Sequence, residues 1–131
     1  MTANCQYCGL PVTFSQTSNH IHGRNYGPIW ECVPCAAYVG CHKGTTSALG
    51  TVANKATRDA RQAAHKAFDG LWKCKVKYHG WKKQSARGAG YKWLAKELGI
   101  DVTKCHIANF DEATCLEAVR ICTPYLAKLV Q

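Results

Sequence analysis

The sequence predicts an α+β chain: an amino-terminal module over residues 1–50 built on a short β-hairpin, and a module of about three helices over residues 51–131. The two are expected to pack as one compact unit. Three observations predict it. Residues 1–50 are rich in Gly, Pro, Asn and Thr and lack helical periodicity. They carry Cys5-Gln-Tyr-Cys8 and Cys32-Val-Pro-Cys35. Beyond residue 50, apolar residues recur at three- and four-residue steps between helix-capping residues.

The two cysteine pairs come first along the chain, with twenty-three residues between them. Two residues within each pair let one turn of backbone aim both sulfurs at one point, and the distant second pair completes four corners of a tetrahedron. Cys5, Cys8, Cys32 and Cys35 are therefore expected to hold one structural zinc ion. The ion replaces a hydrophobic core that so short a segment does not build. Four cysteine ligands leave no open coordination position, so the metal is closed and non-catalytic. A redox-active pair would need a thioredoxin-like strand–helix setting, which the sequence does not show.

Between the pairs, Pro11–Ser15 and Tyr26–Glu31 read as the strands of a ribbon, joined by a loop carrying Ser18, Asn19, Gly23 and Asn25. The order knuckle, hairpin, knuckle is that of a zinc ribbon. Ala36–Val39 reads as a short strand leaving the second knuckle. Cys41-His42 follows in a loop between Gly40 and Gly44. This pair could replace one zinc ligand, or join His20 or His22 in a second metal site. The reading adopted is a hydrogen-bonded loop histidine beside a buried cysteine.

Asn54 can cap a helix to about Trp72, with Ala56, Ala60, Ala64, Ala67, Phe68 and Leu71 as its apolar stripe. Arg58, Arg61, His65 and Asp69 line another stripe. Lys73, Lys75 and Lys77 then alternate with Cys74, Val76 and Tyr78, which suggests a strand or an extended arm. Ser85 can cap a second helix to about Leu98, with Tyr91, Leu94 and Leu98 inward. Gly88 and Gly90 weaken its start, and Gly99 ends it in a left-handed position. Asp111 caps a third helix to about Cys122, stopped by Pro124, and Tyr125–Val130 docks as a last turn. Cys115 and Cys122 share a face of that helix and read as core; a second metal site from such cysteines with His106 is the weaker alternative.

Composition narrows the function classes. Nine cysteines, an odd number, with x-x spacing point to a reduced metal protein rather than a disulfide framework. No signal peptide and no membrane span are visible, and a cytosolic setting is expected. Net charge is +9, but residues 54–96 alone hold twelve Lys or Arg and two acids. A field so concentrated suits a polyanion. Arg58, Arg61, Lys73, Lys75, Lys77, Lys82, Lys83 and Arg87 are the candidate phosphate contacts. Tyr78, Trp81 and Trp72 are candidates for stacking on bases. The alternative is that Trp72 and Trp81 belong to the core and the lysines are simply solvated.

A second class is a small metal-dependent nuclease. In it His65 and Asp69, one turn apart, form a general-base dyad joined by His42 and His106. Against it, the chain has only eight acids, with no tight pair before Asp111-Glu112, and a metal phosphodiesterase wants more carboxylates.

Several strings occur together: Cys5-Gln-Tyr-Cys8-Gly9, Cys32-Val-Pro-Cys35-Ala36-Ala37-Tyr38-Val39-Gly40-Cys41-His42, and Leu49-Gly50-Thr51-Val52-Ala53-Asn54. Arg58-x-x-Arg61-x-x-x-His65-x-x-Phe68-Asp69-x-Leu71-Trp72, Tyr91-x-Trp93-Leu94-Ala95 and Cys105-His106-Ile107-Ala108-Asn109-Phe110-Asp111 follow. Over nearly the whole chain this resembles a family of small zinc-finger-containing proteins of bacteriophages and prophages. Relatives often carry glycine where Ala108 stands. The resemblance implies zinc, a phage origin and the cytoplasm of a bacterial host. It supplies no biochemical activity, though it places His42, His65, Asp69 and His106 inside the family's motifs.

The leading expectation is a nucleic-acid-binding protein, with DNA preferred over RNA, acting in phage replication, recombination or transcription control. The nuclease is the second. The third is a counter-defence protein that binds a host protein complex.

Overall fold

A computed structural model describes residues 4–129. The chain divides into two compact units, Met1–Arg58 and Asp59–Gln131. No helix among the described residues is long and apolar enough to cross a membrane.

In the first unit, β1 (Thr13–Ser15), β2 (Ile29–Cys32) and β3 (Ala37–Gly40) form an antiparallel sheet in the order β1-β2-β3. The expected hairpin is present, and the strand leaving the second knuckle adds a third member. Phe14 lies opposite Trp30, their rings 5.1 Å apart, a cross-strand pair of the kind that fixes register. The loop between β1 and β2 holds a four-residue helical turn, α1 (Asn19–His22), that the sequence did not signal. Ser18 before it is buried, and its Oγ accepts the Tyr26 N–H at 2.8 Å. The apolar interior is small: Cys5, Val12, Cys32, Ala37 and Val52, with Trp30, Cys35 and Val39 against them. A core of this size is what makes a staple necessary in so short a segment.

The helix α2 (Lys55–His79) begins where Asn54 caps it, the Asn54 Oδ1 accepting the Thr57 N–H at 3.0 Å. It does not stop at Trp72. Residues 73–79 are helical and form no arm. Trp72 and Val76, four apart, keep the apolar stripe going, and helical period overrides the two-residue alternation of the lysines. The end comes at Gly80, whose φ of 70° only glycine adopts cheaply. There the Trp81 N–H reaches back to the Lys75 carbonyl at 3.2 Å. Three residues later α3 (Lys83–Leu98) has begun, at Lys83 rather than Ser85, and Gly99 ends it in the expected left-handed conformation.

Two short 3₁₀ turns, Val102–Lys104 and Ile107–Asn109, lead to α4 (Glu112–Leu129). Asp111 caps α4 as expected, accepting the Thr114 N–H at 2.8 Å. Contrary to expectation, α4 runs through Pro124. Proline removes a helix donor and crowds the preceding turn. The stripe of Cys115, Ala118 and Cys122, all fully buried, continues to Leu126, which packs on the same core, and this packing holds the helix together past the proline. Phe68, Leu94, Ile107, Cys105, Cys115 and Cys122 form the centre of the second unit, with Tyr91 tilted on Phe68 at 4.4 Å.

Two glycines in α3 separate helix propensity from packing. A Cβ at Gly88 meets nothing within 4 Å, whereas at Gly90 it meets two atoms of the buried Phe68 ring at 3.1 Å. Gly88→Ala is expected to stabilise the protein by about 0.5–1 kcal/mol. Gly90→Ala, with the same propensity gain, is expected to lower the melting temperature because its Cβ crowds the ring of Phe68, which is buried and packed on Tyr91. Thermal unfolding by circular dichroism distinguishes the two.

Candidate metal centre and nucleic-acid interface

The two cysteine knuckles close with different hydrogen bonds but share a left-handed exit. In the first, the Gly9 N–H bonds the Cys5 carbonyl at 2.9 Å and the Tyr7 N–H lies 3.4 Å from the Cys5 sulfur. In the second, the Ala36 N–H bonds the Val33 carbonyl at 3.0 Å. The residue after each pair is left-handed: Gly9 at φ 77° and Ala36 at φ 51°, the latter the one non-glycine residue so placed among those described. Both turns therefore point their sulfurs inward, and one ligand atom from each of Cys5, Cys8, Cys32 and Cys35 lies within 4.8 Å of the others. Cys8 Sγ and Cys32 Sγ are 3.7 Å apart. A tetrahedron with Zn–S bonds of ~2.3 Å has edges of ~3.8 Å. The donor set and its spacing fit a structural zinc ion held by these four residues.

Thiol chemistry points the same way. Burial raises the Cys5 thiol, but the N–H groups of Tyr7 and Cys8 and the thiols of Cys32 and Cys8 outweigh it and bring it to about 7. The Cys35 thiol is pushed up to about 12, first by its hydrogen bond to Cys32, then by burial and the other sulfurs. Cys32 also ends high: the Cys35 N–H lowers it, but burial and the sulfurs of Cys8 and Cys5 raise it further. Four adjacent sulfurs cannot all be thiolates without a cation to share their charge.

The first knuckle also anchors the start of α2. The Tyr7 hydroxyl accepts the Asn54 N–H at 3.0 Å and shares a 2.6 Å hydrogen bond with Thr57 Oγ1. The Gln6 side chain donates to the Val52 carbonyl at 2.6 Å. Arg58 donates to the Ala53 carbonyl at 2.6 Å and stacks over Tyr38, 4.0 Å from its centroid. Sequence reasoning missed these roles for Tyr7 and Gln6; nothing in the pattern of a knuckle marks them.

The remaining metal and catalytic candidates do not assemble. Among the described residues the four cysteines are the one group of three or more His, Cys, Asp or Glu close enough to share an ion. His20 Nε2 is 2.7 Å from Glu31 Oε2, and His22 packs edge-on against Tyr26 and Tyr38. Cys41 is half-buried, and burial raises its thiol. Exposed His42 bonds Ser47 through its backbone. In the second unit, His65 Nδ1 sits 3.1 Å from the Arg61 carbonyl, an arrangement that requires the proton on Nδ1. Asp69 instead accepts the Trp72 indole N–H at 2.8 Å. His65 and Asp69 are thus each engaged elsewhere and form no dyad. His106 is exposed, its ring 5.9 Å from that of Tyr91.

The basic candidates divide as well. Arg61 is buried and donates its Nε–H to the Phe110 carbonyl at 2.9 Å, fixing the loop that leads into α4, so its guanidinium is withdrawn from solvent. Lys73, Lys75, Lys77, Lys82, Lys83 and Arg87 are exposed along the end of α2, the Gly80 turn and the start of α3. Tyr78 is 69% exposed and Trp81 43%, while Trp72 is 6% exposed and belongs to the core. Lys75 lies over Trp81 at 5.6 Å and Lys77 over Tyr78 at 5.2 Å. Such contacts pre-position cations beside aromatic faces.

A family model described as a zinc-finger-containing domain matches residues 1–125. No curated protein and no solved structure matches the chain significantly.

Zinc binding at neutral pH is expected to release protons from at least Cys32 and Cys35, measurable by titration calorimetry in buffers of different ionisation enthalpy. Zinc takes these sulfurs as thiolates, so it competes with protons for them, above all at Cys35, which holds its proton up to about 12. Metal-derived stability is therefore expected to fall as pH falls, as melting curves across pH should show. Cys8→Ser should reduce bound zinc from one equivalent to none. Ala36→Gly should raise the melting temperature of the loaded protein, because it removes ~1 kcal/mol of left-handed strain at an exposed position.

Proposed function

The chain belongs to a family of zinc-finger-containing domains, and from that premise we propose that it is a zinc-stabilised nucleic-acid-binding protein of a bacteriophage or prophage. It acts in the cytoplasm of the bacterial host, on DNA in preference to RNA, in replication, recombination or transcription control. The observation that carries this reading is the basic, aromatic surface from Lys73 to Arg87. Five lysines and an arginine stand exposed around Tyr78 and Trp81. The two acids of residues 54–96 do not offset them: Asp69 is held by Trp72, and Asp59 lies fourteen or more positions away in sequence. Lysines at such density neutralise phosphates, and exposed aromatic faces accept bases without regard to sequence. Zinc holds the amino-terminal unit in shape and takes no part in chemistry.

Fluorescence anisotropy with labelled oligonucleotides tests this. If the six exposed cations each contact a phosphate, log Kd should change with log salt with a slope of magnitude about 4 to 5. Changing Lys75, Lys77, Lys82 and Lys83 together to glutamate should abolish binding while helix content and zinc stoichiometry persist. Unchanged affinity in that variant would sink the proposal. A host protein retained from nuclease-treated lysate, with no oligonucleotide bound, would favour a protein target instead.

A further inference from the structure

The second unit contains a cleft that the Lys73–Arg87 surface does not account for. It has a volume of about 360 Å³ and lies among the end of α2, the middle of α3 and the end of α4. That volume is within the ~300–1,000 Å³ of small-molecule sites. From α3 it is lined by the small residues Ala86, Ala89 and Gly90. Its walls are aromatic. Trp72, Trp81, Trp93 and Tyr125 line it, the last two edge-to-face at 5.2 Å. Trp81 and Tyr125 are 43% and 44% exposed, so large planar faces are held at the mouth of the cleft. Lys75 and Lys128 also line it, with His79, and no acidic side chain does.

Resting on the nucleic-acid reading above, we propose that this cleft receives one unstacked base of a single-stranded nucleic acid, with the flanking phosphates held by Lys75 and Lys128. Charge and shape both select this occupant. A purine or pyrimidine presents two apolar π-faces to the aromatic walls, and its backbone presents negative charge to a rim with no carboxylate. A base in a duplex is already stacked and paired, and extracting it costs a few kcal/mol that a single strand does not require. The cleft therefore confers a preference for single strands. It also brings in Trp93, Tyr125 and Lys128, which lie outside the basic segment. The continuation of α4 past Pro124 puts the last two of these in place.

The test uses the full-length zinc-loaded protein and three labelled DNA probes of equal length: an ordinary single strand, the same strand with abasic sites, and the duplex. The ordinary strand should bind about tenfold or more tightly than the abasic strand, the range expected for one stacked base. It should also outbind the duplex and quench tryptophan fluorescence. Tyr125→Ala should bring ordinary-strand affinity down to the abasic level, and Tyr125→Phe, which keeps the ring, should restore it. Equal affinity for ordinary and abasic strands would overturn the base pocket while nucleic-acid binding stands. Failure of all three probes to bind would overturn both readings. Circular dichroism of the two Tyr125 variants checks that they fold, and if Tyr125→Ala unfolds, Trp81→Ala takes its place with the same expected loss.

Discussion

Everything in the amino-terminal unit depends on four sulfurs meeting. Its sheet has strands of three and four residues, and few of its apolar side chains are buried. On such an interior, folding would not offset the conformational entropy it costs. A zinc ion held by Cys5, Cys8, Cys32 and Cys35 changes that balance, because binding and folding become one process worth roughly 10–16 kcal/mol in small zinc modules. The knuckles do more than hold metal. Tyr7, between the first two ligands, holds Asn54 and Thr57 at the start of α2.

The second unit is organised on different terms. Its core is conventional, built from helix stripes. What sets it apart is the allocation of charge. Buried Arg61 serves the fold, while the lysines near the Gly80 turn are held out in solvent beside aromatic rings. Cations that serve the fold and cations left to the surface, which appear as one continuous basic stretch in the sequence, are divided by burial.

The cysteine pairs, the caps at Asn54 and Asp111 and the left-handed stop at Gly99 were legible because each is a local device whose spacing alone fixes its geometry. The course of α2 beyond Trp72 was not. Lys73, Lys75 and Lys77 alternate as a strand would, and only the packing of Trp72 and Val76 makes them helical. Pro124 misled for a related reason: its local preference is to end a helix, and the buried stripe running on to Leu126 overrides it. The four zinc ligands were thus legible in sequence. The separation of His65 from Asp69 was not, because it turns on which neighbour each side chain bonds.

Seven of the nine cysteines form two chemical populations. Cys105, Cys115 and Cys122 are fully buried in the second unit. Burial holds all three thiols protonated, with Cys115 and Cys122 at about 11, so they act as compact apolar volume and make poor nucleophiles. The sulfurs of Cys5, Cys8, Cys32 and Cys35 are thiolates when the site is loaded, and Cys8 lies at the surface. An oxidant or alkylating agent would therefore meet the metal site long before the helical core. The same element serves as ligand in one unit and as filler in the other, which makes the amino-terminal unit the redox-sensitive part of the chain.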